Sequence, residues 1–114
     1  MFRGYDDTYL QLDNRRIESS FLLHKGEVTA PWGPERLSDV EPGHLAAVFD
    51  SPPEVLLIGT GRRTVFPDPA VMQALDEAHI GYEFMDSRAA ARTYNILAEE
   101  GRDTAVAMLL PGTR

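Results

Sequence analysis

The sequence predicts an α/β fold: a single domain with a largely parallel sheet, helices between its strands and extra N-terminal β structure. From about residue 42 to residue 110, the spacing of apolar residues alternates between strand and helix periods. A strand–helix–strand–helix–strand order is typical of parallel strands joined by right-handed crossovers. Residues 1 to about 34 contain only short alternating stretches between turn residues. The length of 114 residues fits one domain, which we expect to span 1–114.

The N-terminal β part, about residues 1–34, predicts several short strands. Residues 9–12 and 27–30 have the pattern of strands, and residues 15–24 alternate loosely. The dipeptides Asp13-Asn14 and Lys25-Gly26 have the composition of turns. The proline-rich segment 31–34 then ends the pattern. The sequence does not decide whether these strands lie beside the main sheet or pack over part of it.

The β-α-β-α-β part, about residues 42–110, begins with a short helix and a buried strand. Pro42 is suited to the first turn of a helix that we expect to continue to Asp50. Residues 55–58 form a continuous apolar run between turns, which predicts a strand that is covered on both faces.

The remaining elements follow in the same alternation. Asp68 is expected to cap the next helix, with Pro69 at its first position and Gly81 as its left-handed end. In chain order, the later elements are a strand at 82–85, a helix capped by Asp86 or Ser87 that runs to about Glu100 before Gly101, and a strand at 104–110.

Composition and charge exclude several classes of function. The chain has no cysteine, which excludes disulfides, thiolate metal sites and cysteine nucleophiles. A net charge of −7 would repel a phosphate backbone, so we expect no nucleic-acid partner. No apolar run approaches the length of a membrane span, and the acidic N-terminus does not resemble a targeting segment. We therefore expect a soluble, cytoplasmic protein without membrane insertion.

The segment Gly59-Thr60-Gly61 follows the predicted buried strand and invites comparison with a dinucleotide-binding fingerprint. The comparison fails because Thr64 replaces the third glycine and the next helix begins only near Pro69. A glycine-rich loop with Arg62 and Arg63 remains, at the edge where open α/β sheets usually bind ligands. One interpretation is a weak site for small anions, in which free backbone N–H groups assist the arginines. The other is a tight turn with two solvated arginines.

The helix from Ser87 has one polar face and one apolar face. At about 100° per residue, one narrow polar stripe contains Arg88, Arg92, Asn95 and Glu99. The opposite, core-facing side contains Ala90, Tyr94, Leu97 and Ala98. The stripe is either a recognition face or an ordinary solvated face. Asn95 is the most informative residue of the stripe, because asparagine is a poor helix former and needs another reason to occupy the middle of a helix.

Candidate acids, bases and nucleophiles are few. His24, His44 and His79 lie in different predicted elements, and no serine has the context of a nucleophile elbow. No pair of histidines has the spacing of metal ligands. We predict no catalytic residue, no metal site and no cofactor, and the sequence favours a non-enzymatic function.

Two stretches resemble a known family. The first is Leu56-Leu57-Ile58-Gly59-Thr60-Gly61; the second combines Met85-Asp86-Ser87, Ala90 or Ala91, Thr93-Tyr94-Asn95-Ile96-Leu97 and Glu100-Gly101-Arg102. Their order and spacing resemble the small domain family that includes a mitochondrial respiratory complex I assembly factor and an adipogenesis-associated protein, with many bacterial and archaeal members. The resemblance covers most of the chain. Ser87, where threonine is common, and Asp103-Thr104, where a more apolar residue usually follows Arg102, depart from the family pattern.

The resemblance implies a three-layer α/β fold around a mixed sheet, with extra N-terminal β structure. It implies no agreed catalytic residue, cofactor or substrate, and the best understood member acts through protein partners. Two functions follow from the sequence and the resemblance together. The first is a non-enzymatic interaction or assembly module with an unknown protein partner, linked to respiratory-complex biogenesis by analogy with the family. The second is a small-anion or metabolite-binding domain, either an enzyme or a simple binding protein, formed by the loop 59–63 together with Arg88, Arg92 and Asn95.

Overall fold

A computed structural model describes residues 1–114 and contains a central five-stranded sheet. Its strands are β4 (Phe21–His24), β5 (Glu27–Thr29), β6 (Val55–Gly59), β7 (Gly81–Met85) and β8 (Thr104–Met108). The spatial order is β5-β4-β8-β6-β7, with β6 parallel to both β7 and β8. β4 is antiparallel to β8 and to β5. The predicted mixed sheet is therefore confirmed, with its parallel strands formed by the alternating half of the chain.

Helices cover both faces of this sheet. α1 (Ala46–Asp50) and α2 (Pro69–Glu77) contribute Val48, Val71 and Leu75 to a core on one face. α3 (Ser87–Glu99) contributes Ala90 and Ala91 to a core on the other face. Alternate residues of the buried strands belong to the two cores, as expected for strands covered on both faces.

The predicted helix caps are confirmed. The Asp68 side chain accepts a hydrogen bond from Ala70 N–H, and the Asp86 side chain accepts one from Ala89 N–H. Both carboxylates satisfy backbone donors that have no partner within the first turn of a helix. Pro69 occupies the first turn of α2, as predicted.

The first three strands form a separate antiparallel sheet. They are β1 (Phe2–Asp6), β2 (Tyr9–Leu12) and β3 (Arg15–Ile17), in the spatial order β1-β2-β3. The buried side chains of this sheet, Phe2, Leu10 and Ile17, join the core on the α3 side of the central sheet. The N-terminal sheet therefore packs over part of the molecule instead of extending the central sheet.

Several predicted element boundaries are wrong. Residues 15–24 contain two strands, because the chain passes from the N-terminal sheet into the central sheet between Ile17 and Phe21. The segment 42–50 is a 3₁₀ turn followed by α1. The last strand ends at Met108, after which the Leu109 carbonyl accepts a hydrogen bond from the Ser87 hydroxyl.

The left-handed residue after α2 is His79, with φ 58°, and Gly81 is the first residue of β7. Ile80 N–H donates to the Leu75 carbonyl and His79 N–H donates to the Asp76 carbonyl. This pattern is the Schellman ending of a helix, which satisfies carbonyls of the last turn. The helix thus ends two residues earlier than the glycine suggests.

Candidate functional site

The loop after β6 lies against the first turn of α3, at the carboxyl edge of the parallel strands. The Ser87 side chain is fully buried, and its hydroxyl accepts from Gly61 N–H at 2.9 Å and donates to the Leu109 carbonyl at 2.6 Å. A Cβ at Gly59 would overlap the Met108 sulfur and lie 3.0 Å from the Ser87 hydroxyl. Gly59 therefore allows close packing between helix and sheet, for which glycine is the only residue small enough.

The backbone donors of this loop are used inside the protein. Thr60 N–H donates to the Met85 carbonyl at 2.8 Å, and Arg62 N–H donates to the Thr113 carbonyl at 2.8 Å. Gly61 has φ 100°, and a Cβ there would lie 2.6 Å from the Thr113 carbonyl oxygen. The prediction that the glycines leave N–H groups free for an anion is wrong for Thr60, Gly61 and Arg62. The reason is that the end of β7, the start of α3 and the C-terminal segment already accept from these donors.

Arg62 and Arg88 meet on one carboxylate. Asp7, in the turn between β1 and β2, accepts from Arg62 Nη2 at 3.0 Å and from Arg88 Nη2 at 2.5 Å. The hydrogen bond from Arg88, followed by the charge of Arg62, lowers the pKa of Asp7 below its ordinary value of 3.8. Gly112 N–H also donates to the Asp7 carbonyl. This cluster ties the N-terminal sheet to the loop, to α3 and to the C-terminal segment.

Two further residues of the polar stripe on α3, Arg92 and Asn95, bind strand β1. Asn95 Oδ1 accepts from Phe2 N–H at 2.8 Å, and Asn95 Nδ2 donates to the Phe2 carbonyl at 2.9 Å. Arg92 Nη1 donates to the Tyr5 hydroxyl at 2.9 Å. Arg88, Arg92 and Asn95 therefore bind the N-terminal sheet, and their predicted role toward a ligand stays a prediction. Asp7 and Tyr5 were missed because their partners lie 55 to 87 residues away in the sequence.

Arg63 does not share these contacts. It lines a cavity of about 290 Å³ together with Thr60, Arg62, Thr64, Val65, Thr113 and Arg114. A smaller cavity of about 170 Å³ shares Thr60, Val65, Thr113 and Arg114 with it and adds residues 36–38, including Arg36. Arg36 follows a proline-rich segment in a sequence without periodicity, so no sequence signal could have placed it beside the loop.

An apolar surface, hereafter the Phe66 surface, continues from this loop. It consists of Val65, Phe66, Pro69 and Met72, which line an open cavity of about 580 Å³ with Ser38, Asp68 and the buried Leu37 and Pro67. The Phe66 side chain is 76% exposed, although its ring lies 5.0 Å from the ring of Phe84. Val65 is also exposed. Sequence analysis missed this surface, since the signal is only a short apolar run between Thr64 and Asp68.

The histidines and carboxylates form no group that could hold a metal ion. His44 Nδ1 accepts from Glu41 N–H in the capping of a 3₁₀ turn, whereas both ring nitrogens of the buried His24 have no hydrogen-bond partner. None of the helices combines the length and apolar character needed to cross a membrane.

Known proteins share this fold and part of this sequence. An NMR structure from Xanthomonas campestris is 38% identical, with a TM-score of 0.86, and the match covers all of this chain and 86% of that one. The "13 kDa major membrane protein" of Francisella tularensis subsp. holarctica is 29% identical over 99 residues, which cover 76% of this chain and 80% of the relative.

A eukaryotic relative matches over a shorter region. The "NADH dehydrogenase [ubiquinone] 1 alpha subcomplex assembly factor 3" of Mus musculus is 38% identical over 58 residues, or 51% of this chain and 31% of the relative. The chain thus spans about a third of the assembly factor's length. A family model with the description "Protein of unknown function (DUF498/DUF598)" matches residues 2–109. The chain belongs to the DUF498/DUF598 family, as its sequence motifs indicated.

Proposed function

We propose that this protein is a non-enzymatic interaction module that assists the assembly of a larger protein complex. The similarity to the respiratory assembly factor supports this class of function. The more specific form of the proposal is a role in the biogenesis of a respiratory complex. We propose that the protein acts in the cytoplasm, as the sequence predicts. Because a shared fold does not fix function, the proposal also needs a surface that can bind a partner.

The Phe66 surface carries the proposal. Most large apolar side chains of the molecule are buried, and the three exposed ones are Val65, Phe66 and Ile96. Two of these three are adjacent, and the exposed Pro69 and half-buried Met72 line the same cavity. Contiguous exposed apolar surface is typical of protein interaction sites, and aromatic residues are enriched at such sites. Covering the Phe66 ring with a partner would remove apolar area from water without disturbing either core.

A pull-down of the tagged protein from its own cells tests the proposal, with Phe66→Ser as the test variant. Ile96→Ser is a matched control, because Ile96 is 58% exposed on α3, away from the Phe66 surface. We expect the wild type and the control to capture the same partner in comparable amounts, and Phe66→Ser to lose most of it. The proposal would be contradicted if both variants captured equal amounts of the partner. It would also be contradicted if no captured protein increased in amount with the tagged protein. Circular dichroism checks that both variants keep the fold.

A further inference from the structure

Three neighbouring cavities around the loop share lining residues, and together they are called the trough here. The cavity that contains Arg63 shares Thr60 and Val65 with the cavity that contains Arg36. The latter shares Leu37, Ser38 and Val65 with the cavity of the Phe66 surface. An occupant could therefore extend from the arginines to Phe66 without leaving the trough.

The two ends of the trough differ in chemistry. Arg36 and Arg63 make no ion pair and no side-chain hydrogen bond within the protein, whereas Arg62 is paired with Asp7. No carboxylate side chain lines the cavity that contains Arg63 or the smaller cavity that joins Arg36 to it. This end is positive in a protein whose net charge is −7, so the local field differs in sign from the average. The other end is apolar.

The positive part of the trough has definite limits. Arg36 also lines a further cavity together with Glu18 and Glu35, so an anionic occupant would be repelled on that side of Arg36. At the apolar end, the Asp68 carboxylate caps α2 by accepting a hydrogen bond from Ala70 N–H. The combination of unpaired arginines at one end and an exposed aromatic ring at the other complements a chain that carries both carboxylates and an apolar side chain.

We propose that this trough binds an extended acidic segment of the partner protein, with its carboxylates at Arg36 and Arg63 and an apolar side chain on Phe66. The inference rests on the proposed interaction function and specifies the chemistry of the partner. Guanidinium groups suit this role because they bind carboxylates through two parallel hydrogen bonds. A free small anion would use only the arginine end, and a lipid surface would not fit a concave trough in an acidic protein.

The test uses the ¹⁵N-labelled full chain and an acetylated, amidated peptide of about ten residues, which can extend about 30 Å. The peptide contains two adjacent glutamates followed by leucine and phenylalanine. We expect it to shift the amide signals of residues 36–38 and of residues 63–66 together. Control peptides with glutamine in place of glutamate, or with serine in place of leucine and phenylalanine, should each bind about tenfold more weakly, since both ends contribute to affinity.

Matched protein variants check the location. Arg36→Gln with Arg63→Gln should weaken binding about tenfold. Arg3→Gln with Arg15→Gln changes the net charge equally on the N-terminal sheet, where both residues are exposed, and should leave binding unchanged. Equal weakening by both double variants would mean that only overall charge matters, and would overturn the proposal.

Four further outcomes overturn the proposal in distinguishable ways. If the peptide fails to shift the amide signals at one end of the trough or at both, binding of an acidic segment in the trough is excluded. If the shifts are confined to the arginine end and inorganic phosphate reproduces them fully, the site is assigned to small anions. If the wild type sediments with vesicles of phosphatidylglycerol, Phe66→Ser does not, and the peptide does not bind, the site is assigned to a membrane surface. A cellular partner that needs Phe66 and still binds Arg36→Gln with Arg63→Gln refutes this inference while leaving the interaction function intact.

Discussion

At the scale of single residues, the most informative side chain is Asn95. Its amide forms two hydrogen bonds with the backbone of Phe2, a residue 93 positions away. These bonds explain why a poor helix former occupies the middle of α3. Asn95 therefore acts as a backbone-like pairing group that fixes the edge of strand β1 on the helix.

Asn95→Ala should lower the free energy of unfolding by about 1–3 kcal/mol, because it leaves the Phe2 N–H and carbonyl without partners. Glu99→Ala is the control, since Glu99 is exposed on the same helix and has no ion pair; its effect should stay within about 0.5 kcal/mol. Denaturant titration of both variants measures the difference. A neutral or stabilising effect of Asn95→Ala would show that helix propensity outweighs the lost hydrogen bonds.

Asp7 should make stability depend on pH. Its pKa is lowered in the folded protein, first by the hydrogen bond from Arg88 and then by the charge of Arg62. A group with a lowered folded pKa binds its proton more weakly in the folded state, so its stabilisation is present above the ordinary value of 3.8 and is lost as pH falls through the folded pKa. Asp7→Asn should therefore be less stable than wild type at pH 7, and the difference should shrink below about pH 4.

Glu83→Gln provides the control for this pH dependence. Glu83 is exposed on β7 and has no ion pair, so removal of its charge should give no comparable difference between neutral and acidic pH. Thermal unfolding across this pH range measures all three proteins. A stability difference between wild type and Asp7→Asn that is constant with pH would mean that packing of the turn, and not ionisation of Asp7, is responsible.

At the scale of elements, the junction of β6, α3 and β8 depends on Gly59. A Cβ at this position would meet the Met108 sulfur and the Ser87 hydroxyl and backbone. Gly59→Ala should cost about 1–3 kcal/mol, because helix and sheet would have to move apart. Gly43→Ala is the matched control, since nothing lies within 4 Å of a Cβ there and the residue is in a 3₁₀ turn.

Differential scanning calorimetry of the two glycine variants decides between packing and chain flexibility. If loss of unfolded-state flexibility dominated, both substitutions would stabilise the protein slightly. We expect a clear fall in the midpoint for Gly59→Ala and little change for Gly43→Ala. A midpoint for Gly59→Ala at or above that of wild type would contradict the packing explanation.

The elements that the sequence predicts correctly are those whose signals are local. The apolar run of β6, the caps Asp68 and Asp86, and the alternation through β8 each depend on neighbours in the sequence. The position of the N-terminal sheet depends on contacts that Asn95 and Asp7 make across most of the chain. No local pattern contains that information.

The same distinction applies to the candidate site. The arginines of α3 had the spacing of a recognition stripe, but the same spacing serves to bind a second sheet of the same molecule. The location of the loop 59–63 at the carboxyl edge followed from the parallel order of strands. The loop lies near Arg36, and Phe66 is exposed, because of the paths that the connecting segments take across the carboxyl edge of the sheet. Such crossings have no periodicity from which they could be predicted.

At the scale of the whole molecule, the two sheets share one core. Phe2, Leu10 and Ile17 of the N-terminal sheet lie in the same cluster of buried residues as Leu57 and Val106 of the central sheet. An isolated three-stranded sheet of short strands would have little stability of its own. The N-terminal sheet therefore depends on the central sheet for its stability, and it covers apolar residues of α3 in return.

This arrangement predicts that both sheets unfold in one cooperative step. Leu10→Ala, at a fully buried position, should cost about 2–5 kcal/mol, and should lower the protection of the Leu57 and Val106 amides against hydrogen exchange by a similar free energy. Gln11→Ala, at a half-buried neighbouring position, should leave both amides protected. If Leu10→Ala removed protection only within the N-terminal sheet, that sheet would be an independent unit. The polar stripe of α3 would then become accessible by local opening, without loss of the central sheet.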